Sequence, residues 1–154
     1  MISGTREWAV AEINCSVGCP HGCRYCYARV AALKKGLIDS ASDWTRSRII
    51  DSEVKSSRPR YGGQVMFPTA HDIVEDNLEE ALQVMSRVLE ADNQLLIVSK
   101  PSRVCIEKIC DRFFAQRSQI LFRFTITSRN NGILSFWEPG APAYQERLES
   151  LQLA

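Results

Sequence analysis

The chain has 154 residues, 45% of them hydrophobic and 24% charged, with a formal net charge of +1. That balance suits one globular domain with a core of its own and supplies no global field to draw it to nucleic acid or an anionic membrane. No apolar run approaches the roughly 20 residues that span a bilayer, and the opening MISGTREWAV carries no apolar signal segment, so a cytoplasmic protein without a membrane partner is expected.

EWAVAEIN (7–14) is short and alternates apolar with polar residues, which predicts a strand. NCSVGCPHGCRYCYAR (14–29) follows as a loop and holds four of the six cysteines. YCYARVAALKKG then reads as a helix, with Lys34 and Lys35 near its end and Gly36 as its stop. Residues 37–62 are polar and show no clear period; a flexible loop is expected there, with short structure around Trp44 to Ile50. GQVMFP (63–68) predicts a second strand closed by Pro68, and TAHDIVED its exit loop. NLEEALQVMSRVLEA (77–91) is a strongly amphipathic helix, for which Asn77 and Glu80 form a capping-box pattern. QLLIVS (94–99) is a continuous apolar run, as in a strand buried on both faces. SRVCIEKICDRFFAQ (102–116) predicts a helix, QILFRFTITS (119–128) a strand, and APAYQERLESLQL (141–153) a last helix.

Strands that alternate with helices imply an α/β fold with a parallel sheet, here four βα units in a single domain spanning 1–154. Loops at the C-terminal strand ends then carry function. The cysteine loop, PTAHD, SKPS and TSRNNG all fall at such ends and are expected to converge on one face. In the fourth strand, Ile120, Phe122, Phe124 and Ile126 share one side, and Leu121, Arg123, Thr125 and Thr127 the other. The half-polar side suits either a cavity wall or a wetted edge strand.

Cys19, Cys23 and Cys26 are spaced C-x3-C-x2-C, with Cys15 three intervening residues upstream. In a reducing compartment such thiols point to metal or catalysis before disulfides. Structural zinc usually pairs two short hooks from separate turns, and there is one contiguous run here. Ferredoxin-type ligation with Cys15 as fourth ligand would need other spacings. Gly18 and Gly22 allow tight turns and close approach of backbone N–H groups to sulfur. Cys105 and Cys110 lie at apolar positions of the 102–116 helix and read as core residues.

Cys19-Pro-His-Gly-Cys23-Arg-Tyr25-Cys26 resembles the signature loop of the radical S-adenosylmethionine enzymes. GCPHGCRYCYAR, FPTAHDI and EPGAPAYQERLESL together resemble the branch of spore photoproduct lyase and its DNA repair photolyase relatives. The resemblance runs from about Ile13 to Leu151. It implies a 4Fe–4S cluster on Cys19, Cys23 and Cys26, with one iron left open for S-adenosyl-L-methionine. It also implies an electron donor such as flavodoxin or ferredoxin, and an enzyme that abstracts hydrogen from an unknown substrate. Nucleic acid stays open as that substrate, without support from the charge. By the same resemblance Tyr25 packs near the adenine, and Thr69 and His71 meet the methionine amino group. Lys100, beside Ser99 at a strand end, suits either a pair with the cofactor's carboxylate or a solvent lysine before a proline. Thr127 would reach ribose or substrate. Cys15 departs from the family pattern and reads as an idle thiol or as a fourth ligand that closes the open iron; His21 reads as outside the ligand set.

A complete (β/α)8 barrel takes roughly 250 residues, with about 200 as a lower limit. The chain is therefore expected to form a partial (β/α) barrel, about four βα units of a radical S-adenosylmethionine core. Three expectations follow for the remainder: a piece of a longer chain, a subunit completed by a second polypeptide, or a remnant that binds a cluster without turnover. A non-catalytic iron–sulfur or zinc module for electron transfer or assembly is the reading from another class.

Overall fold

A computed structural model describes residues 4–154; the first three residues of the expected domain lie outside the described residues. Four parallel strands form the main sheet: β1 (Ala11–Glu12), β4 (Gln64–Met66), β5 (Gln94–Ser99) and β6 (Ile120–Phe124), in the spatial order β1-β4-β5-β6. Two further strands, β2 (Ser16–Val17) and β3 (Arg48–Ile49), make a small antiparallel ladder. The helices are α1 (Tyr27–Lys34), α2 (Asp51–Lys55), α3 (Leu78–Glu90), α4 (Arg103–Arg112), α5 (Asn131–Trp137) and α6 (Tyr144–Leu153).

Period-2 alternation divides the sheet into two unlike faces. Val65, Leu95 and Ile97 are fully buried on one face, where Phe122 and Phe124 join them. Met85 and Val84 of α3 and Ile106 and Ile109 of α4, all at 1% exposure or less, close this core from the helix side. Each such side chain contributes roughly 1.5–3 kcal/mol on burial. Packing of this size, rather than backbone propensity, holds strands only two or three residues long. On the opposite face Ala9, Met66, Leu96 and Val98 form a thinner apolar layer, of which Met66 and Val98 line a cavity. The register Leu95↔Ile120 and Val98↔Arg123 carries the same division into β6: Ile120 packs on the core, whereas Arg123 and Thr125 face the cavity. β6 is both the edge strand of the sheet and, through Arg123 and Thr125, a wall of the cavity, with Leu121 of the same face exposed.

Several expectations are corrected. The first strand is shorter than 7–14: Gly4–Glu7 is a 3-10 turn, and only Val10 through Ile13 pair with β4, through Val10 N–H to Gln64 O and Ile13 N–H to Met66 O. The fourth strand ends at Phe124, not residue 128. The short structure expected around Trp44 to Ile50 is present as a 3-10 turn (Ala41–Thr45) and β3, and residues 37–62 add α2; Trp44 and Val54, buried at 2% and 3%, anchor them. Asn77 stands at the N-cap of α3 but makes no side-chain cap bond. Its amide instead accepts from Val74 N–H at 3.0 Å and donates to Asp72 O at 3.0 Å, which ties the TAHD loop to the helix. The sequence reading also missed α5, a helix of mainly exposed apolar residues.

Candidate functional site

The loops at the C-terminal strand ends converge on one cavity of about 820 Å³. Cys19, Cys23, Tyr25 and Cys26 reach it from the cysteine loop, Thr69 to Asp72 from the loop after β4, Ser99 and Lys100 from the end of β5, and Thr125 from the end of β6. The volume lies within the roughly 300–1,000 Å³ typical of small-molecule sites. No residue of the TSRNNG loop (127–132), expected to converge with the other three, lines it; Thr127 instead donates its hydroxyl to Glu138 Oε1 at 2.7 Å.

The cysteine loop is clamped from two sides. Ahead of it, Gly18 has φ 96°, and a Cβ there would sit 2.8 Å from the carbonyl oxygens of Trp44 and Arg46. Only glycine lets the 3-10 turn pack so close, and Cys19 N–H then donates to Trp44 O at 2.8 Å. From the other side comes the segment after α5. Arg24 N–H donates to Trp137 O at 2.8 Å, its guanidinium lies over the Phe136 ring, and Gly140 N–H donates to His21 O at 2.9 Å. Glu138, fully buried, accepts from Tyr25 Oη and Thr127 Oγ1 and pairs with Arg147 at 2.6 Å. Burial opposes its ionisation, but those three hydrogen bonds outweigh it and hold its carboxyl below the ordinary value. Burial and the bond to Glu138 push the Tyr25 phenol up.

Asp72 is the hub of the site. Its Oδ1 accepts from Ser99 Oγ (2.9 Å) and Lys100 N–H (2.7 Å), and its Oδ2 from His21 Nδ1 (2.9 Å) and Lys100 Nζ (3.3 Å). Burial disfavours the carboxylate, yet the hydrogen bond from His21 and the charge of Lys100 hold it well below the usual carboxylate range. Burial would lower Lys100 as well, but the Asp72 charge more than offsets it, so the lysine stays protonated. Ser99 and Lys100 are thus engaged with Asp72, where the sequence reading placed a cofactor carboxylate.

His71 is a strut rather than a free contact. Its Nε2 accepts from Cys15 N–H at 3.1 Å and Ser16 N–H at 3.3 Å, and Nδ1 donates to Asp72 O at 3.0 Å. Burial keeps the ring below its ordinary pKa, hence neutral. Thr69 is held by Asn14, whose side chain accepts from Thr69 N–H and Ala70 N–H and donates to Thr69 Oγ1 at 2.8 Å. Asn14, Asp72, Glu138 and Arg147 were not singled out as site residues. Asp72 sits in the quoted exit loop, and Glu138 in the EPG segment, as the only local signals.

The three thiols suit a soft metal centre. Cys19 and Cys23 are buried and Cys26 half-buried, and they stand close enough for each charge to act on the next. Backbone N–H groups of His21 and Asp72 aim at the Cys19 sulfur and favour its thiolate. Burial, with the Asp72 charge, nonetheless pushes the Cys19 thiol up to about 12, and burial raises Cys23 against the pull of Lys100. Cys19 and Cys23 are therefore protonated by themselves and ionise when a cation shares their charge. Cys15 lies apart, fully buried in the core under the sheet, with its thiol pushed up to about 12 by burial. Cys105 is a buried core residue and Cys110 packs at the core margin, as read from the sequence. A second group, Cys19, His21 and Asp72, brings its ligand atoms within 4.8 Å of one another. Both Asp72 oxygens there already accept two donors each, one of them an ammonium, which leaves poor room for a cation on that carboxylate.

No protein-family model matches the chain, and no solved structure matches it. An uncharacterized protein, ORF301 of Acidianus two-tailed virus, is 26% identical to it over 158 aligned positions, covering 96% of this chain and 51% of that protein. The chain thus spans about half the length of the curated relative it matches. No helix among the described residues is long and apolar enough to cross a membrane.

Proposed function

We propose that the chain is an iron–sulfur protein of the radical S-adenosylmethionine type, with Cys19, Cys23 and Cys26 holding a 4Fe–4S cluster and the cavity beside them taking S-adenosyl-L-methionine. The observation that carries the reading is the placement of three thiols, two buried and one half-buried, with Cys23 in charge contact with both Cys19 and Cys26, along a cavity built from the C-terminal ends of parallel strands. When bound, the cluster would supply one electron to cleave the sulfonium and start hydrogen abstraction. The remaining tasks fall to this chain's own groups. Backbone N–H groups at Cys19 stabilise thiolate; Tyr25 and Tyr27 wall the cavity; the Asp72–Lys100–His21 network orients the lysine at its floor; the apolar layer of Met66 and Val98 excludes water. Four parallel strands in sequential order, with helices on one face and the cavity on the other, support an arc of a (β/α) barrel. An electron donor such as flavodoxin or ferredoxin, and a second polypeptide or further segment closing the barrel, belong to the same reading.

Anaerobic reconstitution tests it. Wild type and Cys15→Ala are expected to bind iron and sulfide equally and to turn brown, whereas Cys19→Ala, Cys23→Ala and Cys26→Ala lose the cluster. Reduction in the presence of S-adenosyl-L-methionine is expected to release 5′-deoxyadenosine. Equal loss of iron in Cys15→Ala refutes the three-ligand assignment. The second reading is a zinc module, favoured by the proximity of Cys19, His21 and Asp72. A colourless protein whose zinc is lost in His21→Ala and kept in Cys26→Ala would establish it.

A further inference from the structure

Trp44 is only 2% exposed, lines the cavity and carries an indole N–H with no acceptor among the described residues. Such a group is uncommon, because a buried donor left unpaired costs about 1–3 kcal/mol. The surroundings narrow what would satisfy it. Trp44 is buried in a small apolar cluster with Cys19, Ala28 and Ala32, against which Cys26, Ile38 and Ala70 pack. Cys19 and Cys26 bring sulfur acceptors into that set, and without a metal neither is a hydrogen-bond partner of the indole. A neutral thiol is a poor acceptor; a metal-bound thiolate or an inorganic sulfide is a good one. The indole is also held in place: Trp44 O accepts from Cys19 N–H, and Gly18 permits the two backbones to approach.

We infer that Trp44 is the indole donor to a sulfur of the metal centre at Cys19 and Cys26 and that it sets the reduction potential of that centre. This rests on the iron–sulfur reading above. A donor aimed at sulfur stabilises the more negative, reduced state over the oxidised one, so it raises the potential. Trp44 is then a positioning and tuning residue, without contact to reacting atoms.

The test is Trp44→Phe, which keeps an aromatic ring and removes the N–H. Reconstituted under the same anaerobic conditions, the variant is expected to retain its iron and sulfide. Its midpoint potential is expected to fall by about 59 mV, a tenfold change in a one-electron equilibrium. A loaded variant with an unchanged potential overturns the inference and leaves the iron–sulfur reading standing. If wild type itself assembles no cluster, that reading falls and this inference with it. If Trp44→Phe does not fold, electron–nuclear double resonance on reduced wild type labelled with 15N-tryptophan decides. Indole nitrogen coupling that survives in labelled Trp8→Phe and Trp137→Phe supports Trp44 as the donor; absence of coupling overturns it.

Discussion

Replacing Asp72 by Asn tests the organisation of the site without changing its shape. The carboxylate accepts four hydrogen bonds, and its Oδ2 lies 3.3 Å from Lys100 Nζ, with both side chains largely buried. An amide has one oxygen. If it keeps Oδ1, its NH2 faces two donors, His21 and Lys100. His21 can change tautomer and accept, but an ammonium cannot, so Lys100 is left charged and unpaired. In the opposite orientation the NH2 confronts Lys100 N–H, and a backbone donor is orphaned instead. Breaking a buried pair by removal of one charge costs about 3–5 kcal/mol. Urea denaturation of the metal-free protein under reducing conditions is expected to show a loss of that size in Asp72→Asn. Lys100→Met in the same background removes the stranded charge and is expected to recover at least half of it, which a double-mutant cycle reads as coupling. A loss of about 1 kcal/mol or less, or an additive cycle, would refute the view of Asp72 as the hub, because exposed pairs give values of that order.

Gly140→Ala drives a methyl group into the Pro20 carbonyl oxygen and to 3.0 Å from His21 Cα, and backbone atoms cannot rotate aside. A loss of about 1–3 kcal/mol and reduced iron loading are expected; full loading with an unchanged unfolding midpoint would show that the EPG segment does not clamp the cysteine loop. His71 is buried neutral, so its folded pKa lies below the unfolded value of about 6.5. Its contribution is complete above that pH and is lost as pH falls toward the folded value, by up to about 1.4 kcal/mol per pH unit for one proton. Asp72, also depressed, begins to contribute acid sensitivity only below about pH 4, so the two windows separate. Unfolding curves between pH 7 and pH 5 (~6 being the informative centre) should therefore slope in wild type and flatten in His71→Gln, which keeps an acceptor and a donor. Equal slopes would place the titrating group elsewhere.

The sheet was largely legible from the sequence because its signals are local. QLLIVS, with its four-residue apolar centre, becomes β5 at the expected bounds, and the face of α3 follows directly from Leu78, Ala81, Leu82 and Met85. The alternation of Ile120, Phe122 and Phe124 with Arg123 and Thr125 marked a strand with one apolar and one half-polar side, since a pleated strand sends neighbours to opposite sides; that the polar side lines a cavity came from the fold. The spacing of Cys19, Cys23 and Cys26 likewise marked the loop that opens into the cavity. The partners of charged and polar side chains were not legible. Asp72 meets Ser99 and Lys100 across 27 and 28 residues, His21 across 51, and Tyr25 finds Glu138 across 113. Nothing in a local pattern encodes such pairings; they arise when parallel strands bring their C-terminal ends together. For the same reason His71 and Lys100, which look like free ligands along the chain, are committed to Cys15 and Asp72 in the fold. Composition and period thus determined which segments pair and which face is apolar. Only the tertiary structure, by stacking four strand ends side by side, decided which polar groups neutralise one another and which, like the Trp44 N–H, are left without a partner among the described residues.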